Sequence, residues 1–166
     1  MPIGTRWGRV ATVAFLVVLM FPLTRLGCEL VEFQARSYAT YAEAQGDGAV
    51  ERGWLAGFVP ASALRIREVH SADTRAQWLV FDLPAGATGT MTSEMEPITL
   101  AEARRTGVNR PWRAGPGWPA ELGRIVTLAP RDSERLGLFR TGDGAFCLAI
   151  DRAENRTFAW RCDHAG

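Results

Sequence analysis

The residues best equipped for chemistry are few. His70 follows Glu68 by two positions, and Asp73 comes three positions later. In an extended strand, residues two apart point to one face, so Glu68 and His70 share a face and Asp73 lies in the turn that follows. Two carboxylates and an imidazole so placed suit acid–base hydrolysis or a metal site, the reading of a small hydrolase or metal-dependent enzyme. The spacing is specific to no metal, so no metal or other cofactor is assigned from it. Ser71 faces the opposite side from His70 and sits in no nucleophile elbow, and His164 lies at the C-terminus. Charged residues at the end of a hairpin are commonplace, so the trio is kept as a weak binding candidate and no residue is assigned as catalytic. All nineteen basic residues are arginine, which leaves no lysine for a phosphate loop, a Schiff base or an amine nucleophile.

Two other groups carry chemical interest. Trp112 and Trp118 flank Arg-Ala-Gly-Pro-Gly in a loop, where aromatic rings suit stacking on sugars or on a partner protein. Trp78 and Trp160 fall mid-strand and read as core. Of three cysteines, Cys147 and Cys162 lie on consecutive strand-like runs, residues 145–151 and 156–162. A loop over residues 153–156 sets the two directly opposite. A loop over 152–155 makes them diagonal neighbours, and only the first register is expected to close a bridge without strain. Cys28 is then the odd cysteine.

Position and charge say where such a domain sits. Residues 10–23 carry no charge, Arg9 precedes them, and Thr24 and Arg25 close them. Fourteen residues are short for a span, since a hydrocarbon core about 30 Å thick takes about 20 residues. Arginines that snorkel from both ends still make a short anchor feasible. No small-x-small cleavage site follows, whereas Gly27-Cys28 resembles the end of a lipobox with Arg25 and Leu26 out of pattern. The expectation is a retained signal anchor, with lipidation at Cys28 as the alternative. The first 28 residues carry +3 and the other 138 carry −2, which is a targeting asymmetry and excludes a nucleic-acid face.

The elements that position these residues read as follows. Residues 1–9 are a cytoplasmic N-terminus, 10–27 a transmembrane signal anchor, 28–53 a juxtamembrane helix and linker, and 54–166 an envelope-exposed domain. Strands are expected over 64–70 and 75–82, over 124–129, and over 136–141, 145–151 and 156–162. Capping boxes at Thr40 with Glu43 and at Thr99 with Glu102 open two short helices. Residues 84–93 and 110–119, rich in Gly, Pro and Thr, read as surface loops. The fold class is α+β: an N-terminal membrane helix, then an antiparallel sheet of five or six strands with two short helices on one face.

Ser37-Tyr38-Ala39-Thr40-Tyr41, Gly53-Trp54-Leu55, Pro60-Ala61-Ser62-Ala63, His70, Asp73-Thr74 and Trp78 together resemble a group of uncharacterised bacterial membrane-anchored or lipid-anchored proteins. The likeness covers residues 37–82, and Ala56 stands where the group has proline. The group has no assigned activity, so the resemblance implies a location and no catalytic residue. In physical terms, Trp54 and Pro60 pin an irregular segment onto the sheet. The sequence therefore leads to a single-pass protein of a bacterial inner membrane with its C-terminal domain outside the cytoplasm. Its expected partners are the membrane and an envelope protein or cell-wall component. The runners-up are the small enzyme above and an accessory subunit of a membrane complex.

Overall fold

Two six-residue runs, Gln-Trp-Leu-Val-Phe-Asp and Phe-Cys-Leu-Ala-Ile-Asp, lack the apolar–polar alternation of a strand with one wet face. Runs of this kind fit strands covered on both sides. A computed structural model of the chain, which describes residues 33–72, 74–106 and 135–162, places both at the centre of a sheet, and every residue of both is buried.

The elements in order are β1 (Phe33–Thr40), α1 (Tyr41–Gly46), β2 (Leu64–Ser71), β3 (Gln77–Asp82), α2 (Ala87–Thr92), β4 (Glu96–Pro97), α3 (Leu100–Arg105), β5 (Leu136–Arg140), β6 (Phe146–Asp151) and β7 (Arg156–Arg161). Among the described residues all seven strands join one antiparallel sheet in the order β1-β2-β3-β7-β6-β5-β4. The α+β class and the three hairpin strands of the C-terminal meander agree with the sequence reading. The sheet is wider than the expected five or six strands because β1 and β4 add its two edges.

Both faces of the sheet are apolar, which corrects the expectation of helices on one side. Val69, Trp78, Val80, Ala149, Phe158 and Trp160 face one way and pack against Ala103 of α3. Ile66, Leu79, Phe81, Leu148 and Ala159 face the other and pack against Ala44 of α1 and the segment between α1 and β2. Ile66, Leu79, Phe81 and Leu148 are 0 % exposed, and burial of such side chains contributes about 1.5–3 kcal/mol apiece.

Local chemistry explains the helices. Thr99 and Glu102 form the expected reciprocal capping box. At α1 the Thr40 hydroxyl accepts from the Glu43 N–H at 3.2 Å, but the Glu43 carboxylate takes the N–H of Ala39 at 2.6 Å, one residue before the expected one. Residues 84–93 are not all loop, since Gly86, at φ 86°, turns the chain into α2. Residues 33–40, expected as helix and linker, form β1 because β2 offers them a full antiparallel ladder.

Register decides the cysteines. Asp151 pairs with Arg156 and Cys147 with Trp160, so the loop is 152–155 and Cys162 is the diagonal neighbour of Cys147. The diagonal does not keep them apart: their Cα atoms are 5.8 Å apart and their sulfurs lie at disulfide distance. Strand twist shortens one diagonal of an antiparallel pair, and the flat-ladder expectation left that out. Among the described residues no helix is long and apolar enough to cross a membrane. The apolar run 10–23, Cys28, Asp73, Trp112, Trp118, His164 and the strand expected over 124–129 lie outside the described residues.

Candidate functional site

The alternation of β2 brings Glu68 and His70 onto one face, as expected. His70 Nδ1 lies 2.7 Å from Glu68 Oε1. Glu68 is 1 % exposed and only its Oε1 has a partner, for Oε2 is buried without one. Burial pushes the Glu68 carboxyl from 4.5 up to about 8 against the pull of Arg36. Burial also lowers His70, and Arg36 adds to that. Burial thus favours the uncharged form of each group, the acid of Glu68 and the neutral imidazole of His70.

The pair is roofed by residues that the sequence reading did not assign to it. Trp54 stacks on His70 with ring centroids 4.8 Å apart and planes 23° apart. Gln77, the cross-strand partner of His70 on β3, donates from Nε2 to the Trp54 carbonyl at 2.6 Å. His70 thus holds the ring of Trp54 while Gln77 holds its backbone. Arg52 lies over the same indole at 3.9 Å and Arg36 at 5.7 Å, each a cation on an aromatic face. Arg52 also donates to Asp47 Oδ2 at 3.2 Å, and the Tyr38 hydroxyl donates to that oxygen at 2.8 Å. Burial and then this bond push Tyr38 up to about 12.

These contacts give the trio of the sequence reading a different character. Glu68 Oε1 and His70 Nδ1 are spent on each other under an indole, and Asp73 lies outside the described residues. Among the described residues no group of three His, Cys, Asp or Glu side chains converges as metal ligands do. The pair is built to hold the segment that carries Trp54 against the sheet.

Concave surface lies elsewhere, on either side of Phe58. One groove, of about 550 Å³, runs between Phe58 and Pro60 and the α2 side, where Ala87, Met91 and Met95 form the wall. A second, of about 510 Å³, lies between Gly53, Leu55 and Ala56 on one side and Gln77, Phe146 and Arg161 on the other. Phe58, Thr141 and Gly142 line both, and Phe58 meets Phe146 edge-on at 5.2 Å.

Residues 32–82 match the family model of the YbbD head domain. The matched stretch is under a third of the chain. It contains β1, α1, the Trp54 segment, β2 and β3, and therefore Arg36, Trp54, Glu68, His70 and Gln77 together. No curated protein and no solved structure matches the chain. The described chain beyond the YbbD head match, which holds β4 to β7, supplies Phe146, Thr141 and the cysteine pair.

Strand alternation alone exposes Glu68 and His70. Arg36 and Gln77 need the pairing registers of β1 and β3; the sequence offers Trp54 as a pin of the irregular segment onto the sheet, and its seat on His70 needs the path of the loop. Phe58 carries no sequence signal beyond its aromaticity.

Proposed function

We propose that the chain is a binding module presented outside the cytoplasm of a bacterium, tethered to the inner membrane by its apolar segment at residues 10–23. The observation that carries this reading is the cysteine pair: Cys147 is 0 % and Cys162 8 % exposed, with sulfurs at disulfide distance. Such pairs belong to chains that fold where disulfides form. The positive flank of the apolar run keeps the N-terminus inside and sends the domain across. Binding is assigned to the two grooves that flank Phe58, because a concave surface with aromatic and methionine walls and a few polar groups suits a ligand better than a sealed Glu68–His70 pair does. The partner is an envelope protein or a cell-wall component.

The test is a fusion of alkaline phosphatase, which needs disulfides to be active, to the C-terminus of the full chain. The fusion is expected to be active, and a fluorescent reporter that matures only in the cytoplasm is expected to stay dark. An inactive phosphatase together with a bright reporter overturns the reading.

A further inference from the structure

Arg36 and Glu68 are direct cross-strand partners on β1 and β2. Side chains so placed start with Cβ atoms about 4.5–5.5 Å apart, within easy reach for an arginine. Glu68 nevertheless keeps its buried Oε2 unpartnered, while the exposed Arg36 places its guanidinium over Trp54, 5.7 Å from the centroid. One cation therefore has two seats within reach, the indole face and the carboxyl oxygen. Which seat is better depends on whether the carboxyl is an acid or a carboxylate.

We propose that Arg36 is the moving part of a proton-operated latch: while the Glu68–His70 pair holds its proton Arg36 rests on Trp54, and when the proton leaves Arg36 turns to Glu68 Oε2. A neutral carboxyl offers a guanidinium little. A buried carboxylate attracts it strongly, since an unpaired buried charge is costly and a charge-assisted hydrogen bond offsets that cost. Proton loss also changes the hydrogen bond beneath: the carboxylate can only accept, so the imidazole Nδ1 must become the donor. The groups that face the pair are few. β1 presents Gln34 (opposite His70), Arg36, and the hydroxyl of Tyr38, which Asp47 holds; β3 presents Gln77 and Leu79; the segment after α1 presents Arg52 and Trp54. Arg36 is the only charged one of these that stands opposite Glu68, and it makes no ion pair among the described residues. The latch loosens one of the cations on Trp54, and Gly53 and Leu55, its chain neighbours, line the second groove. The inference goes beyond the binding reading and does not depend on what the groove holds.

The test uses the full chain in detergent micelles, labelled with 5-fluorotryptophan, and follows fluorine resonances from about pH 6 to pH 10. Trp54→Phe assigns the Trp54 signal among the six tryptophans. The Trp54 resonance is expected to shift with a single midpoint near 8. Glu68→Gln should abolish that shift, and Arg36→Gln should remove most of its amplitude. A Trp54 signal that is flat across the range, or one that titrates with undiminished amplitude in Arg36→Gln, overturns the latch. Arg36 is exposed, so its variant decides the matter even if Glu68→Gln fails to fold.

Discussion

His70 and Gln77 face each other across β2 and β3, and both grip Trp54. The imidazole stacks on its ring at 4.8 Å, and the amide donates to its carbonyl at 2.6 Å. The segment they hold has no regular structure of its own between Gly46 and Leu64, yet its Leu55, Val59 and Ala63 are buried. Side-chain anchoring takes the place of a ladder there.

Replacing the indole should therefore loosen that segment before it unfolds the sheet. Trp54→Ala is expected to cost about 2 kcal/mol, less than a fully buried aromatic because Trp54 is half-buried. Limited proteolysis checks it: new cleavage should appear between residues 47 and 60 while β3, β6 and β7 stay protected.

The Glu68–His70 pair makes stability depend on pH in two directions. Burial raises the Glu68 carboxyl to about 8, so the folded chain keeps a proton that the unfolded chain gives up above 4.5. That contribution is fully present below 4.5 and is lost as pH rises through about 8. His70, lowered by burial and by Arg36, adds the opposite dependence, a loss as pH falls below 6.5. Glu68→Gln can still donate from its amide to the imidazole and lacks the titration. Relative to the natural chain it should gain on the order of a few kcal/mol between pH 5 and pH 8, read from urea unfolding at each pH.

Much of the fold was legible in the residues, and the misses have physical causes. The hairpins of β2 with β3 and of β6 with β7 show apolar runs bounded by turn residues, and Thr99 with Glu102 announces α3. β1 did not announce itself, because Leu30, Val31 and Phe33 prolong the apolar pattern of the preceding run and only the ladder with β2 makes residues 33–40 a strand. α2 hides in a Gly- and Thr-rich stretch with low helix propensity. At the site, Glu68 and His70 were readable from period two alone, whereas their roof of Trp54, Arg36 and Gln77 comes from three elements whose register no local pattern encodes.

Asp82 closes the other end of β3. It is 3 % exposed, accepts from Arg156 Nε at 2.8 Å, and takes a second arginine, Arg65. Arg65 reaches it from the bulge in β2, where its own φ is 48°. Burial alone would raise the Asp82 carboxyl, but the bonds from Arg156 and Arg65 outweigh it and hold the group below 3.8. Its contribution is thus present above 3.8 and lost as pH falls below it. Asp82→Asn should lose about 1–3 kcal/mol at neutral pH and remove part of the acid limb of the stability profile, as thermal melts across pH would show.

Trp160 is fully buried, and its indole N–H donates to Thr106 Oγ1 at 3.0 Å, which ties α3 to β7. Thr106→Val keeps the volume and leaves a buried donor unpaired. A loss of about 1–3 kcal/mol is expected, where Thr106→Ser, which retains the hydroxyl, should lose far less. Denaturant midpoints of the two variants separate the hydrogen bond from the methyl group.

The cysteine pair carries the whole argument about place. A bridge that closes a loop with a sequence separation of 15 stabilises by about 3 kcal/mol. The decisive measurement is intact-mass spectrometry of the full chain extracted from membranes, alkylated before and after reduction. The mass should be that of the uncleaved chain without acyl groups, with Cys147 and Cys162 alkylated only after reduction. A chain found in the soluble cell fraction, with Cys147 and Cys162 alkylated before any reductant is added, contradicts an exported and bridged domain.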